Sequence, residues 1–145
     1  MFPQPGSGLE GIYGGKEGVF PRSFINESED SFTLNVFGTG ATGEKLPVLY
    51  WIYGGSLNNG SSDKFLYDPT EWIRRSQADG KRFIVVTGNY RTNIFGFASS
   101  EDLRAADPQG LSGNYGLYDC VSSLEWIKAN IANFGGDADN VTIFG

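Results

Sequence analysis

The chain has 145 residues, the size of one ordinary domain, and its 39% apolar, 14% aromatic and 19% charged residues exclude a disordered acidic tail. Its 17 acidic and 11 basic residues give a net charge of −6, which argues against a nucleic-acid or anionic-membrane binder. The absence of histidine and the single cysteine, Cys120, exclude a Ser-His-Asp triad, a histidine or cysteine metal site and an intrachain disulfide within these residues.

The first third of the chain predicts two strands after an irregular start. Residues 1–18 are rich in glycine and lack the charged and apolar regions of a signal peptide. Residues 31–37 alternate apolar and polar side chains, which indicates a strand buried on one face. Residues 46–53 are nearly continuously apolar, which indicates a strand covered on both faces with Pro47 near its start. No apolar run approaches the roughly 18 residues that a membrane span requires.

The middle of the chain predicts a helix, a strand and a long loop. A helix is expected over 69–79, because Asp68 is a suitable N-cap and Gly80 is a suitable end. A second buried strand is expected over 83–87, where the residues are again mostly apolar. A long loop is expected to follow over 89–113.

The longest predicted element is a helix over 114–133, which Gly135 and Gly136 end. A third apolar strand is expected over 140–144. The apolar residues of the helix recur every three or four positions and predict its buried stripe: Leu117, Val121, Leu124, Ile127 and Ile131.

The order strand, helix, strand occurs twice, which predicts an α/β fold with a mostly parallel sheet and crossover helices on its faces. The loop between 31–37 and 46–53 is too short to make those two strands parallel neighbours. No shift in composition divides residues 1–145, so a single domain is expected. The predicted core consists of Leu34, Val48, Tyr50, Ile52, Ile84, Val86, Leu117, Val121, Leu124 and Ile143.

Several short motifs are better explained as structure than as chemistry. Gly38–Gly43 matches a dinucleotide-binding glycine pattern, but a strand follows where that site needs a helix. Residues 137–140 lack the later glycine and glutamate of a calcium loop. No cofactor or metal is therefore expected, and Cys120 is interpreted as a buried structural thiol. Three glycosylation sequons, at Asn26, Asn59 and Asn140, are weak evidence for secretion, so the localisation stays open.

Glycines at the ends of two predicted strands are the features most informative about function. Gly54 and Gly55 follow a buried strand, and ligands of α/β sheets bind beyond the carboxyl ends of the strands. Neighbouring backbone N–H groups there can form an oxyanion hole, although the dipeptide by itself is better explained as a tight turn. Gly145 ends the last apolar strand, and a strand ending in glycine is how a nucleophile elbow, Gly-x-Ser-x-Gly, begins.

From Glu27 onward, the segments and the order in which they occur along the chain resemble the start of a type-B carboxylesterase, the family of cholinesterases and fungal lipases. The matching stretches are 27–30 with the strand that follows, Leu46-Pro47-Val48 through Trp51-Ile52-Tyr53-Gly54-Gly55, Asn89-Tyr90-Arg91, Phe95-Gly96-Phe97, 113–119, 126–131 and 134–145. This resemblance implies an incomplete α/β-hydrolase domain over 1–145, with strand 140–144 beside strand 46–53. It also implies that the nucleophilic serine, the acid and the histidine lie outside this chain. By this resemblance the chain is an N-terminal-region fragment that ends just before the nucleophile elbow.

The chain departs from the family pattern at several places. Where the family usually has His-Gly-Gly-Gly, this chain has Tyr53, the two glycines and Ser56, which restricts the loop but leaves the backbone donors. Ser31 and the Phe2-Pro3-Gln4 stretch stand where the family often has two disulfide-paired cysteines. Residues 3–30 contain no tryptophan, which argues against a quaternary-ammonium substrate.

The resemblance implies a serine carboxylic-ester hydrolase acting on a small-molecule or lipid ester, with Gly54 and Gly55 holding the oxyanion. The alternatives are a catalytically inactive interaction module, a truncated product without function and an unrelated binding module. The resemblance also implies that Arg91, Glu29 and Asp119 converge in a structural charge cluster, because one guanidinium can pair with two carboxylates. The substrate and the oligomeric state are not determined by the sequence.

Overall fold

The computed structural model describes residues 28–62 and 65–145. The predicted loop over 1–18 and the sequon at Asn26 lie outside the described residues. Within these residues the strands are β1 (Leu34–Phe37), β2 (Leu46–Trp51), β3 (Ile84–Gly88) and β4 (Gly136–Phe144). The α-helices are α1 (Thr70–Ala78), α2 (Asn93–Phe97), α3 (Glu101–Ala106) and α4 (Tyr115–Asn130). Two 3-10 turns, Phe65–Tyr67 and Ile131–Phe134, precede α1 and follow α4.

The four strands form one mixed sheet in the order β1-β3-β2-β4. Strand β2 lies in the middle and is parallel to β3 on one side and to β4 on the other, so that Tyr50 is opposite both Val86 and Ile143. Strand β1 is antiparallel to β3. The predicted α/β fold with a mostly parallel sheet is confirmed, and the short loop after β1 is accommodated because β1 pairs with β3 and not with β2.

The core lies between one face of the sheet and α4. The side chains of Val48, Tyr50, Ile84 and Val86 on this face are at most 1% exposed and pack with Ile127 and Ile131. Leu34, Ile52 and Leu124 are partly buried against the same cluster. Most of the predicted core is therefore confirmed.

Three predicted core residues are wrong, and two of them are on α4, where the buried face is not the apolar stripe. Leu117 and Val121 are 52% and 49% exposed, and the buried residues of this helix are Gly116, Asp119, Ser123 and Ile127. A Cβ on Gly116 would lie 2.3 Å from the Arg91 carbonyl oxygen, so small side chains let the helix approach the backbone closely. Close approach therefore decides which face of α4 is buried.

Ile143, the third of these residues, is 52% exposed on β4. Strand β4 is at the edge of the sheet, and among the described residues it pairs only with β2. An edge strand has neighbours on one side only, so its apolar side chains are covered less than those of a central strand.

Some predicted boundaries also differ from the structure. The loop over 89–113 contains α2 and α3, helices of five and six residues that are too short to show a period of 3.6. Strand β4 begins at Gly136 and not at residue 140, because Gly136 pairs with Leu46 across the sheet. Asp68 is not the N-cap of α1: that position is Pro69, and the Asp68 carboxylate accepts a hydrogen bond from the Thr70 N–H at 2.9 Å.

Candidate functional site

The carboxyl ends of β2 and β4 lie side by side. Strand β4 runs parallel to β2, and the Ile52 N–H donates to the Phe144 carbonyl at 2.9 Å just beyond the end of β2. The chain is so close here that a Cβ on Gly145 would lie 2.5 Å from the Ile52 carbonyl oxygen. Only glycine fits at Gly145, as expected for the first residue of an elbow that turns sharply away from a strand.

The turn Gly54–Gly55, called the glycine turn below, follows β2 at this edge. Gly54 is exposed, and a Cβ there would meet nothing within 4 Å. Gly55 has φ 147°, and a Cβ there would lie 1.9 Å from the Asn59 carbonyl oxygen. Glycine is therefore required at Gly55 by both conformation and space, whereas Gly54 is open to the surroundings.

The loop after the glycine turn is held in an unusual conformation by backbone hydrogen bonds. Ser56 and Leu57 have φ values of 55° and 61°, in the left-handed region that side chains other than glycine disfavour. The Gly55 carbonyl accepts hydrogen bonds from the N–H groups of Asn58 and Asn59 at 3.0 and 3.3 Å. The Leu57 carbonyl accepts one from the Asn93 N–H at 2.8 Å, which ties the loop to the start of α2. The restriction of the loop conformation expected at Ser56 thus applies to both Ser56 and Leu57.

Behind the glycine turn, Tyr53 and Tyr90 form a buried reciprocal pair. Tyr53 Oη donates to the Tyr90 carbonyl at 2.5 Å, and Tyr90 Oη donates to the Tyr53 carbonyl at 3.0 Å. The two rings stack with centroids 4.3 Å apart, and the side chains are 2% and 4% exposed. Gly60 packs on the same ring, since a Cβ there would lie 2.2 Å from Tyr53 Cδ2. The sequence showed Tyr90 only as part of a matching stretch, because nothing local indicates its partner.

The environment keeps both phenols protonated. Burial raises the pKa of Tyr53 well above its usual value, and burial raises the pKa of Tyr90 to about 12. Both hydroxyl groups therefore remain hydrogen-bond donors at neutral pH.

Asn89 connects the loop after the glycine turn with the segment before β1. Its Oδ1 accepts hydrogen bonds from the N–H and the hydroxyl of Ser62 at 3.0 and 2.9 Å. Its Nδ2 donates to the Ser31 carbonyl at 3.3 Å and to Thr33 Oγ1 at 3.1 Å. Ser31, one of the positions where the resemblance leads us to expect a cysteine, is thus held by a hydrogen bond from Asn89 to its carbonyl oxygen.

Arg91 and Asp119 form a closely fitted ion pair between the end of β3 and α4. Arg91 Nη2 and Nε lie 2.7 and 2.9 Å from the two carboxylate oxygens, and the Arg91 backbone N–H donates to the same carboxylate at 2.8 Å. Asp119 is 4% exposed, and the guanidinium lies over the rings of Phe32 and Tyr115. The hydrogen bond with Asp119 raises the pKa of Arg91, with a weaker contribution from the charge of Glu29, which is itself exposed.

Cys120 is half-buried one position after Asp119. Burial raises the pKa of its thiol to about 11, so the thiol stays protonated and is a poor nucleophile. In the described ranges, no group of three or more histidine, cysteine, aspartate and glutamate side chains is arranged to hold a metal ion. No helix in those ranges has the length and apolar character that crossing a bilayer demands.

Comparison with known proteins finds similarity to carboxylesterases along nearly the whole chain. The profile of the carboxylesterase family matches residues 6–145. The fumonisin B1 esterase of Sphingopyxis macrogoltabida is 40% identical over 119 residues, which are 81% of this chain and 21% of that protein. The inactive carboxylesterase-like protein VdtD of Byssochlamys spectabilis is 40% identical over 123 residues, 83% of this chain and 20% of that protein.

A solved structure shows the same arrangement of elements. The Geobacillus stearothermophilus carboxylesterase EST55 at pH 6.8 superposes with a TM-score of 0.72 and 44% sequence identity. The match covers 82% of this chain and 24% of that one. The chain therefore spans about a fifth to a quarter of the length of the proteins it matches.

Proposed function

The chain belongs to the carboxylesterase family, and from this premise we propose that it supplies the oxyanion hole of a serine carboxylic-ester hydrolase. The observation that supports this proposal is the close approach of Gly145 to Ile52, two residues before the glycine turn, at the parallel ends of β2 and β4. A serine that follows Gly145 on a sharp turn would lie beside the exposed Gly54.

The division of roles in this proposal follows from the chemistry of ester hydrolysis. When a nucleophile attacks an ester carbonyl, negative charge develops on the carbonyl oxygen, and backbone N–H groups aimed at that oxygen stabilise the transition state. The N–H groups of Gly54 and Gly55 are the proposed donors. The nucleophilic serine, the acid and the histidine are contributed from outside these 145 residues, which contain no histidine. Arg91, Asp119 and Glu29 have a structural role in the proposal. The Arg91–Asp119 ion pair holds the segment after β3 to α4, and Glu29 adds its charge near Arg91.

The proposal is tested in a hybrid protein. The segment of the Geobacillus carboxylesterase that aligns with this chain is exchanged for the corresponding residues of this chain, and hydrolysis of p-nitrophenyl butyrate is measured. Glycolic acid is then incorporated in place of Gly54 or Gly55, which turns the amide into an ester and removes one N–H donor. We expect kcat to fall about 10²–10³-fold at a donor position. The matched control is the same replacement at Gly43, a turn position whose Cβ would meet nothing within 4 Å.

Two results would contradict the proposal. One is a folded hybrid without esterase activity, with folding judged by circular dichroism and cooperative thermal unfolding. The other is an active hybrid that keeps its kcat after glycolate replacement at both Gly54 and Gly55.

A second candidate function is that of a catalytically inactive family member, and the similarity to VdtD favours it. In that case the fold and the glycine turn are retained while the nucleophile is replaced. The codons of the transcript that follow Gly145 distinguish the two candidates: a serine two residues on, followed by x-Gly, supports the hydrolase, and another residue there supports the inactive protein.

A further inference from the structure

The sheet face opposite α4 carries a cavity with an aromatic lining, called the aromatic pocket below. Side chains alternate between the two faces of a strand, so Trp51, Val85 and Thr87 lie on the face away from the core that packs on α4. The cavity has a volume of about 310 Å³ and lies between this face and the start of α1. Its aromatic side chains are Trp51, Tyr67, Trp72 and Phe144.

The base of the aromatic pocket is closed, whereas its rim is open. Val85 and Thr87 at the base are 2% and 1% exposed, but Leu66 and Trp72 at the rim are 60% and 59% exposed. The centroids of the Trp72 and Phe144 rings are 6.4 Å apart, so the exposed rim is continuous with the end of β4. Apolar side chains that share one exposed surface mark an interaction site.

Helix α1 covers only part of this face of the sheet. Four strands about 4.8 Å apart span about 14 Å between the outer strands, whereas a helix with its side chains is about 10 Å wide. The less covered part is on the side of β4, where Thr142 is exposed and Phe144 is partly buried, while β3 is buried at every position. The remaining surface therefore fits a second helix laid beside α1.

The free edge of β4 continues the same surface. Among the described residues β4 pairs only with β2, so the backbone groups on its other side are open to a further strand. Phe144 belongs both to β4 and to the lining of the aromatic pocket. A polypeptide that adds a strand at this edge can therefore also reach the pocket.

A second copy of this chain fits the surface poorly. Each copy has a net charge of −6, and β4 carries Asp137 and Asp139. Two copies joined along β4 would bring these carboxylates together, which is unfavourable. A partner that carries the remaining elements of the family is favoured instead, because the chain spans about a fifth to a quarter of the length of the proteins it matches.

We propose that the aromatic pocket and the free edge of β4 bind, without a covalent link, a second polypeptide that carries the remaining elements of the esterase. The partner contributes a strand beside β4 and an amphipathic helix whose apolar side chains enter the pocket between Trp72 and Phe144. The inference rests on the proposed function, since this partner also carries the serine, the acid and the histidine. The 145 residues are then one of the two chains of a divided enzyme.

The first experiment tests binding between separate chains. The partner is the part of the Geobacillus carboxylesterase that follows the segment aligned with this chain, and the two chains are refolded together from urea. We expect a one-to-one complex in sedimentation velocity with a Kd of about 1 µM or tighter, as for an interface of at least standard size. Hydrolysis of p-nitrophenyl butyrate should appear only when both chains are present, and the partner refolded alone is the control.

The second experiment identifies the surface that the partner contacts. Trp72→Glu and Leu66→Glu should each weaken binding at least about tenfold, because the partner would bury the new charge among aromatic rings. Leu103→Glu is the matched control, because Leu103 is 40% exposed on α3, a helix without buried residues. Each variant chain by itself should unfold in urea near the midpoint of the unchanged chain, since all three side chains are exposed.

The outcomes separate this inference from the proposed function. If the hybrid esterase is active but the separate chains form no complex, the inference is overturned and the proposed function stands. If the hybrid is folded but inactive, the proposed function fails, and the Kd between the separate chains still decides the inference. Equal weakening by Trp72→Glu and Leu103→Glu would also overturn it, as would self-association of the 145-residue chain through Trp72 in place of binding to the partner.

Discussion

The Arg91–Asp119 pair shows how a single side chain can hold two elements together. Asp119 is a buried carboxylate on α4, and it accepts hydrogen bonds from both the guanidinium and the backbone N–H of Arg91. The Arg91 side chain is 30% exposed, so its charge keeps contact with water while the charge of Asp119 depends on its partner. The same segment carries Tyr90, which connects the ion pair to the glycine turn.

Replacing Arg91 with alanine should destabilise the chain by about 3 kcal/mol. This is the low end of the cost of leaving a buried carboxylate without its partner, because the Arg91 side chain is itself 30% exposed to water. Urea unfolding followed by circular dichroism measures the change. The control is Arg75→Ala, since the Arg75–Asp79 pair has side chains 78% and 51% exposed and should contribute less than about 1 kcal/mol. Equal losses in the two variants would show that Asp119 does not depend on Arg91.

At the level of elements, α4 illustrates that the buried face of a helix is not always its most apolar face. Gly116, Asp119 and Ser123 are spaced three and four residues apart and lie against the sheet and the segment after β3. The apolar stripe that begins at Leu117 is rotated about 100° from this face, given 100° per residue in an α-helix. Ile127 belongs to both faces, which explains why its predicted burial is confirmed.

Alanine substitutions along α4 should follow the observed face and not the predicted stripe. Ile127→Ala should cost about 2–5 kcal/mol, because Ile127 is fully buried between the helix and the sheet. Leu117→Ala and Val121→Ala should each cost less than about 1 kcal/mol in the 145-residue chain, because about half of each side chain is exposed. The midpoint of urea denaturation checks this order. Losses at Leu117 and Val121 as large as that at Ile127 would mean that these side chains are buried.

At the level of the whole molecule, buried tyrosines make the free energy of unfolding decrease as the pH becomes alkaline. Burial raises the pKa of Tyr50 and of Tyr90 to about 12, from an ordinary value of 10.0. Between these values the folded chain retains phenol protons that the unfolded chain has lost. The free energy of unfolding is therefore unaffected below the ordinary pKa and falls as the pH rises from 10 to 12.

We expect this fall to be up to about 1.4 kcal/mol per pH unit for each such tyrosine. It is measured by urea denaturation at a series of alkaline pH values, with phenolate absorbance recorded in parallel. Tyr50→Phe is the informative variant, because it removes one titrating group from the core and should make the pH dependence shallower. An unchanged slope in this variant would show that Tyr50 does not carry the predicted coupling.

The 145 residues by themselves should hydrolyse no ester. A serine hydroxyl is a weak nucleophile until a base accepts its proton, and the chain contains no histidine to serve as that base. Incubation with p-nitrophenyl butyrate should give the uncatalysed rate, and a fluorophosphonate should label no serine, as judged by intact mass. The hybrid esterase is the positive control. Turnover or labelling of the isolated chain comparable to that of the hybrid would contradict the proposed division of roles.

The sequence by itself determined the class of fold and the position of the glycine turn. Strands β2 and β3 are both apolar runs, and the sequence predicts both as buried. This is confirmed for β3, which is buried at every position, whereas in β2 only Val48 and Tyr50 are fully buried and one face stays partly exposed. The resemblance carried by the stretches around Gly54, Arg91 and Gly145 led to the correct family. The lack of histidine also restricted the chemistry available within these residues.

Only the tertiary structure decided which groups meet. The bonds between Tyr53 and Tyr90 join residues 37 positions apart, and the Arg91–Asp119 bonds join residues 28 positions apart. Such contacts leave no periodic signal in the sequence, because they depend on how strand ends and helices are placed in space. The buried face of α4 and the early start of β4 have the same cause: close backbone approach and pairing across the sheet outweigh local apolar patterning.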